Sequence, residues 1–311
     1  MPDGVFRVVI IGAGGISGAH SGAIKASGGR VALAAAGDPH TENLTKLLAA
    51  HDGAIGFSTI DAFLKARAAG DVQADGAVIC TPPSIRIKLV EACLKAGLHV
   101  LSEKPLAHTL ADAKKLAALA KKYPKRKAFV AYCHRYAPAI AKMKELTSAG
   151  KIGQLVRFEN VFACDLPGHK DKWFSDPKKA GGGAYLDMGS HSVDLFHFMV
   201  GQVQTVGAVM HKKWKGRTET NGTVLLKSTK AALGSMNNKP GVAENIVGGW
   251  AETCRFTLAL VGDAGMLFYD YEKPAELVFK DLNGKAESLA VEPHDVRFTR
   301  QMLAFADAAQ R

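Results

Sequence analysis

Phe6-Arg7-Val8-Val9-Ile10-Ile11-Gly12-Ala13-Gly14-Gly15-Ile16-Ser17-Gly18 is the stretch that decides the fold. Its first six residues form an apolar run too continuous for a strand with one face in water, which suits the buried centre of a parallel sheet. A glycine turn follows at once, and residues 20–26 can be helical. Strand, glycine turn and helix in that order give a G-x-G motif its meaning: the glycines let backbone N–H groups of Gly12, Gly14, Gly15, Ile16 and Ser17 approach a pyrophosphate at a helix N-terminus. Ser17 stands at the third glycine position and is small enough for close packing. Over these residues alone, a tight strand-to-helix turn of another α/β protein reads the same way.

The next strand, residues 30–36, ends in Gly37-Asp38. An acid at that distance from the glycines binds the adenosine ribose hydroxyls and repels a 2′-phosphate, so Asp38 favours NAD over NADP. Helices over 41–51 and 60–69 lead to a strand over 76–80. Thr81-Pro82-Pro83 ends that strand at the carboxyl edge of the sheet, where ligands collect in this architecture. A helix over 85–96 stops at Gly97, and a strand over 99–102 runs into Glu103-Lys104-Pro105. Pro105 disfavours helical backbone at Lys104 and holds that lysine extended just past a strand end. There it can hydrogen-bond a reacting oxygen, or act as an acid where its surroundings lower its pKa; a surface loop lysine is the plain alternative. Thr109 caps a helix running to about Lys122.

From residue 128 the alternation fails. A strand over 128–132 leads to Cys133-His134-Arg135-Tyr136-Ala137-Pro138 and a helix through Leu146. Residues 155–163, 204–211, 222–227, 231–235, 255–261 and 277–279 read as strands with little helix between them, before a last helix over 298–310. The fold class is therefore α/β: an N-terminal Rossmann domain with a doubly wound parallel sheet over residues 1–127, and a C-terminal α+β domain with an open, mainly antiparallel or mixed sheet over 128–311.

Inside the second domain, Gly-Gly-Gly-Ala-Tyr-Leu-Asp-Met-Gly-Ser-His-Ser-Val-Asp-Leu-Phe-His-Phe-Met-Val-Gly, residues 181–201, carries the most chemistry. The glycines make a turn where backbone can approach a ligand, Gly201 is a natural helix stop, and residues 184–200 read as one helix. On that helix Asp187, His191 and Asp194 fall within roughly 60° of arc. A carboxylate one turn before a histidine orients the imidazole and raises its basicity, as a general base near neutral pH requires. An ordinary surface pair at the same spacing fits these residues equally well.

Forty Lys and Arg against twenty-nine Asp and Glu leave a formal charge of +11. Much of the excess lies in helix-like and loop segments over 114–127 and 211–217, so the reading assigns no nucleic-acid partner; an anionic cofactor or substrate also gains from a positive field. The cysteines at 80, 93, 133, 164 and 254 include no C-x-x-C and read as reduced thiols of a cytoplasmic protein. Cys164 with His169 lacks a second ligand pair, so no metal is assigned. No apolar run reaches the length of a membrane span, and the first strand begins too early for a signal peptide.

With these residues in place, the sequence resembles the glucose-fructose oxidoreductase, inositol dehydrogenase and MocA group of NAD(P)-dependent oxidoreductases. The matching features are the Gly12 to Ser17 turn, Thr81-Pro82, Glu103-Lys104-Pro105, Arg135 with Pro138, Gly150-Lys151-Ile152-Gly153, the 181–201 segment and Val261-Gly262-Asp263-Ala264-Gly265. The resemblance implies that Lys104, Asp187 and His191 carry proton transfer, and that Asp194 contacts substrate. It implies hydride transfer between NAD and a secondary alcohol or ketone of a sugar, polyol or related hydroxy compound, and a homodimer or homotetramer built through the C-terminal sheet. Tyr132, His134, Arg135 and Trp173 are candidates for the substrate wall, and Tyr132 and Trp173 fit equally as core aromatics. A redox-assisted glycosidase or lyase and, at lowest rank, a ligand-sensing regulator are the rival functions. The sequence departs from the group's pattern at Arg86, where histidine is frequent, at Phe174, where arginine is frequent, and in ending at Arg311, short of a C-terminal segment that usually returns to the first domain.

Overall fold

The computed structural model describes residues 4–228 and 243–311. Their Cα positions form two compact units, one of Met1–Ala131 with Phe298–Arg311 and one of Tyr132–Arg297.

The first unit alternates strand and helix: β1 (Phe6–Ile11), α1 (Ser17–Lys25), β2 (Val31–Gly37), α2 (Thr41–Leu48), β3 (Ile55–Phe57), α3 (Ile60–Ala69), β4 (Gly76–Ile79), α4 (Pro83–Lys95), β5 (His99–Ser102), α5 (Leu110–Lys122) and β6 (Ala128–Val130). The strands pair in parallel in the order β3-β2-β1-β4-β5-β6, so the direction of winding reverses between β1 and β4. The continuous apolar run of β1 has a simple cause. Phe6, Val8 and Ile10 enter the core on one face of the sheet, Val9 and Ile11 enter the core on the other, and none of the five is more than 6% exposed.

Residues 298–310, which the sequence reading places in the second domain, supply Met302, Phe305 and Ala306 to the same core as Phe6. The Phe305 ring stands edge-on to Phe6 at 5.4 Å and is fully buried. Thr59 and Thr109 cap α3 and α5 through their hydroxyl oxygens, which accept from the N–H groups of Ala62 and Asp112. Strand β3 escaped the sequence reading because it is three residues long, lies at an edge and carries Gly56 at its centre.

The second unit is an eight-stranded sheet with helices on one face. Its elements are α6 (Pro138–Ser148), β7 (Leu155–Asp165), α7 (Pro177–Ala180), α8 (Ser190–Met199), β8 (Val203–His211), β9 (Asn221–Ser228), β10 (Ala243–Gly249), β11 (Ala251–Gly262), β12 (Gly265–Asp270), β13 (Glu276–Asp281) and β14 (Ala286–Ala290); α9 (Arg297–Gln310), next in the chain, belongs from Phe298 to the first unit. The order is β14-β13-β12-β11-β7-β10-β9-β8, antiparallel throughout except for the β7–β10 pair. Ile140 and Met143 of α6 and Leu195, Phe196 and Met199 of α8 pack on Phe158, Phe162, Leu258 and Leu260 of the sheet.

The strand read over 231–235 lies outside the described residues. Strands β10, β12 and β14 were not read: β10 ends in paired glycines, and β14 is an exposed polar edge. Two motifs far apart in sequence turn out to be one structural joint. The Asp263 carboxylate accepts the N–H of Gln154 at 2.7 Å, Ala264 N–H donates to the Ile152 carbonyl, and a Cβ on Gly262 would lie 1.9 Å from that same carbonyl oxygen. No helix among the described residues is long and apolar enough to cross a membrane.

Candidate functional site

In the first unit the glycine turn, Asp38, Thr81 and the Glu103-Lys104 segment gather around the carboxyl ends of β1, β2, β4 and β5. Gly12 has φ +96°, and a Cβ there would lie 3.0 Å from the Cys80 carbonyl carbon and 3.1 Å from Thr81 Cγ2. Only glycine fits where β1 and β4 run out side by side. Gly14 and Gly15 are different, since a Cβ on either would meet nothing within 4 Å. Their bareness serves no packing inside the unit and leaves backbone open at the start of α1, which fits a pyrophosphate. Ile16 is the N-cap residue of α1, and the Ser17 hydroxyl donates to the Gly14 carbonyl at 2.6 Å.

Asp38 is 8% exposed, and its two carboxylate oxygens accept the N–H groups of Ala13 at 2.6 Å and His40 at 2.7 Å. It thus braces the glycine turn from behind, while a carboxylate's remaining lone pairs can still receive ribose hydroxyls.

Arg86 resolves one of the departures noted above. It is 2% exposed on α4, and its guanidinium donates to the carbonyls of Thr81, Glu103 and Pro105. A planar fork of donors reaches all three; an imidazole offers two nitrogens and cannot. The Glu103 carboxylate adds a second brace: Oε1 meets His20 Nε2 at 2.8 Å, with both residues buried, and Oε2 accepts the Lys104 N–H at 3.0 Å. Lys104 and Pro105 are joined by a cis peptide bond. With the Lys104 N–H held by Glu103 and the Pro105 carbonyl held by Arg86, the lysine is braced on both sides, and its side chain is half-buried.

In the second unit the segment read as one helix over 184–200 is helical without a break through Met199, but its first part is a π-helical turn, Tyr185–Gly189, that runs directly into α8. The Tyr185 ring lies where a Gly189 side chain would stand, 2.9 Å from the Cβ position. The glycines before it admit the protein's own chain. A Cβ on Gly183 would lie 2.0 Å from the Glu219 carbonyl oxygen, and the Glu219 carboxylate accepts the N–H groups of Gly183 at 2.7 Å and Tyr185 at 3.2 Å. Glu219 is thus a carboxylate cap on the positive end of this helical segment, supplied from outside it. At the far end Gly201, at φ +135°, donates its N–H to the Phe196 carbonyl and stops α8.

Asp187 sits in the π-turn and accepts from Trp250 Nε1 at 3.1 Å. His191 is 8% exposed, with its ring edge-on to Tyr132 at 5.9 Å and to His134 at 4.6 Å. Asp194 takes a two-pronged pair from Arg135, both hydrogen bonds 2.6 Å long. Burial raises the Asp194 carboxyl above the usual range despite the guanidinium, yet the geometry is that of an ion pair; on the other side burial acts to lower Arg135, and the hydrogen bond and charge of Asp194, with Tyr136 and Tyr132, together raise it. Arg135, Asp194 and Tyr132 line a cavity of about 640 Å³ with Tyr185, Leu186 and Glu219, and neither Asp187 nor His191 belongs to its lining.

Trp173 stacks on Phe174 at 4.0 Å, Phe174 on His169 at 4.7 Å, and His169 leans on Trp250 at 5.1 Å. Phe174 is thus a link in an aromatic ladder that reaches Trp250, the partner of Asp187. Sequence reasoning missed Trp250, Glu219 and His20, whose partners lie 63, 36 and 83 residues away.

Residues 6–132 match the family described as "Oxidoreductase family, NAD-binding Rossmann fold", and residues 140–268 match the "GFO/IDH/MocA C-terminal domain". The rhizopine catabolism protein MocA of Rhizobium meliloti is 30% identical over 200 residues, 64% of this chain and 59% of that protein, so the match spans under two thirds of the relative. Among solved structures, the 3-ketoreductase KijD10 of Actinomadura kijaniata in complex with NADP and TDP-benzene superposes with a TM-score of 0.83 at 21% identity, over 98% of this chain and 90% of its own. A levoglucosan dehydrogenase in complex with NADH and levoglucosan gives a TM-score of 0.84 at 19% identity with the same coverage. At these identities the two structures establish the fold.

Replacing Arg86 with Met is expected to strand buried carbonyls and to cost about 3 kcal/mol or more of unfolding free energy. Urea denaturation measures the loss, and Arg86→Lys should recover only part of it, since one ammonium cannot serve all three oxygens.

Proposed function

Because the chain belongs to the GFO/IDH/MocA family of oxidoreductases, we propose that it transfers hydride between a nicotinamide cofactor and a secondary alcohol or ketone of a sugar, polyol or related hydroxy compound. The observation that carries this reading is the double brace on Lys104 by Arg86 and Glu103, which fixes a cation just beyond the end of β5. The bound nicotinamide would supply the hydride acceptor or donor. His191 takes the hydroxyl proton, Asp187 orients it, and Lys104 steadies the oxygen as it becomes a carbonyl, by charge and hydrogen bond. The Trp250 N–H on Asp187 keeps that carboxylate in place. Asp194, with Arg135 held against it, offers the lone pairs that a substrate hydroxyl needs. Levoglucosan bound to one structural neighbour, a levoglucosan dehydrogenase, supports a carbohydrate-like substrate.

One of the two structural neighbours is in complex with NADH and the other with NADP. For this chain the preference is NAD, through Asp38, whose fixed negative charge opposes a 2′-phosphate. Self-association uses the outer face of the second unit's sheet. There Val209 and Leu225, diagonal neighbours on β8 and β9, are 76% and 58% exposed.

A screen at the NADH absorbance band across polyols, sugars, uronates and nucleotide sugars tests the activity. Lys104→Ala and His191→Ala should each lower kcat by roughly 100-fold or more, and full activity surviving both would refute the assigned roles. Asp38→Asn should raise the NADP to NAD ratio of kcat/KM about tenfold, equivalent to about 1.4 kcal/mol. Val209→Asp combined with Leu225→Asp should yield monomers by light scattering; an unchanged mass would move the contact elsewhere.

A further inference from the structure

The second unit holds a gathering of metal-ligating side chains to which the sequence assigned no metal. One ligand atom from each of Cys133, His134 and His191 lies within 4.8 Å of the others. A 3₁₀ turn, Cys133–Tyr136, supplies two of the three and α8 supplies the third. Cys133 and His191 are 4% and 8% exposed. The His134 ring is held by its surroundings: Nδ1 bonds the Tyr271 hydroxyl at 2.7 Å, and Phe162 packs against the ring at 4.8 Å. An outer hydrogen bond on one imidazole nitrogen is how metal-binding histidines are oriented. Tyr132, whose ring stands edge-on to His191 at 5.9 Å, also lines the cavity beside Asp194.

We infer that Cys133, His134 and His191 form a site for one thiophilic divalent cation, zinc by its chemistry, and that a bound cation disables His191. One thiolate and two imidazoles make a soft-to-borderline donor set that suits zinc and not magnesium or calcium, which take oxygen ligands. Tetrahedral ligands at zinc stand roughly 3.3–3.8 Å apart. Closing from the present spacing takes side-chain movement of about an ångström by that measure. Three protein ligands leave a fourth position for water. Coordination releases the Cys133 thiol proton to solvent and occupies an imidazole lone pair on each histidine, with no electron transferred. The lone pair on His191 is the one that proton acceptance needs. The inhibitory half of the inference rests on the function proposed above; the binding half does not.

Cobalt(II), added to protein dialysed against a chelator, reports binding directly. The wild type should take up one equivalent with a thiolate-to-cobalt charge-transfer band, and zinc should displace it. Cys133→Ser should abolish the band and weaken zinc binding by about tenfold or more in calorimetry. Cys254→Ser, which removes an exposed thiol, should change neither. Circular dichroism checks folding, and Cys133→Ala replaces the serine variant should that one unfold. Zinc should inhibit turnover by the wild type and leave Cys133→Ser turning over. No stoichiometric cobalt binding by the folded wild type, or a charge-transfer band that survives loss of the Cys133 thiol, overturns the site. The cobalt spectrum needs no substrate, so its failure leaves the hydride-transfer reading standing, and a protein that binds cobalt without turning over any alcohol refutes only that reading.

Discussion

A buried guanidinium has few ways to be stable, and Arg86 uses one of them: it faces backbone oxygens whose dipoles are fixed by the strand ends around it. That constraint runs in both directions. The carbonyls of Thr81, Glu103 and Pro105 satisfy a charge that the core could not otherwise hold, and the charge in turn holds two loops, after β4 and after β5, in one arrangement. Glu103 extends the brace to α1 through His20, so the glycine turn and the Lys104 segment share a single polar network inside an apolar sandwich. Loops at the end of a parallel sheet are otherwise free to vary, and this network is what makes them a defined surface.

Much of the first unit was legible because its signals are local. A run such as Val8 to Ile11 followed by Gly12 can be read without knowing what lies across from it, since a fully buried strand and a positive-φ turn each leave a mark in composition. The same holds for Thr109, which caps a helix through a donor three residues ahead. What failed were elements whose reason lies elsewhere in the chain. Strand β10 exists because β7 and β9 leave a slot between them, and nothing within Ala243–Gly249 announces that.

The candidate site shows the same division. Residue types and spacing pointed to Asp187, His191 and Asp194 on a uniform helix, whereas the helix begins in a π-turn; Trp250 donates to Asp187, the Tyr132 and His134 rings flank His191, and Arg135 pairs with Asp194. The glycines at 181–183 suggested close approach by a ligand, and what approaches Gly183 is Glu219. A sequence can show that room is needed at a glycine without showing for whom.

The last helix carries a consequence for how the chain is made. Met302, Phe305 and Ala306 complete the core around Phe6, yet they leave the ribosome after the whole of the second unit has been synthesised. The dinucleotide-binding unit therefore waits, with an apolar groove along one side of its sheet, for a plug that arrives only after the second unit. Vectorial folding cannot finish this unit first, and during translation the open groove is a place where chaperones or neighbouring nascent chains can lodge.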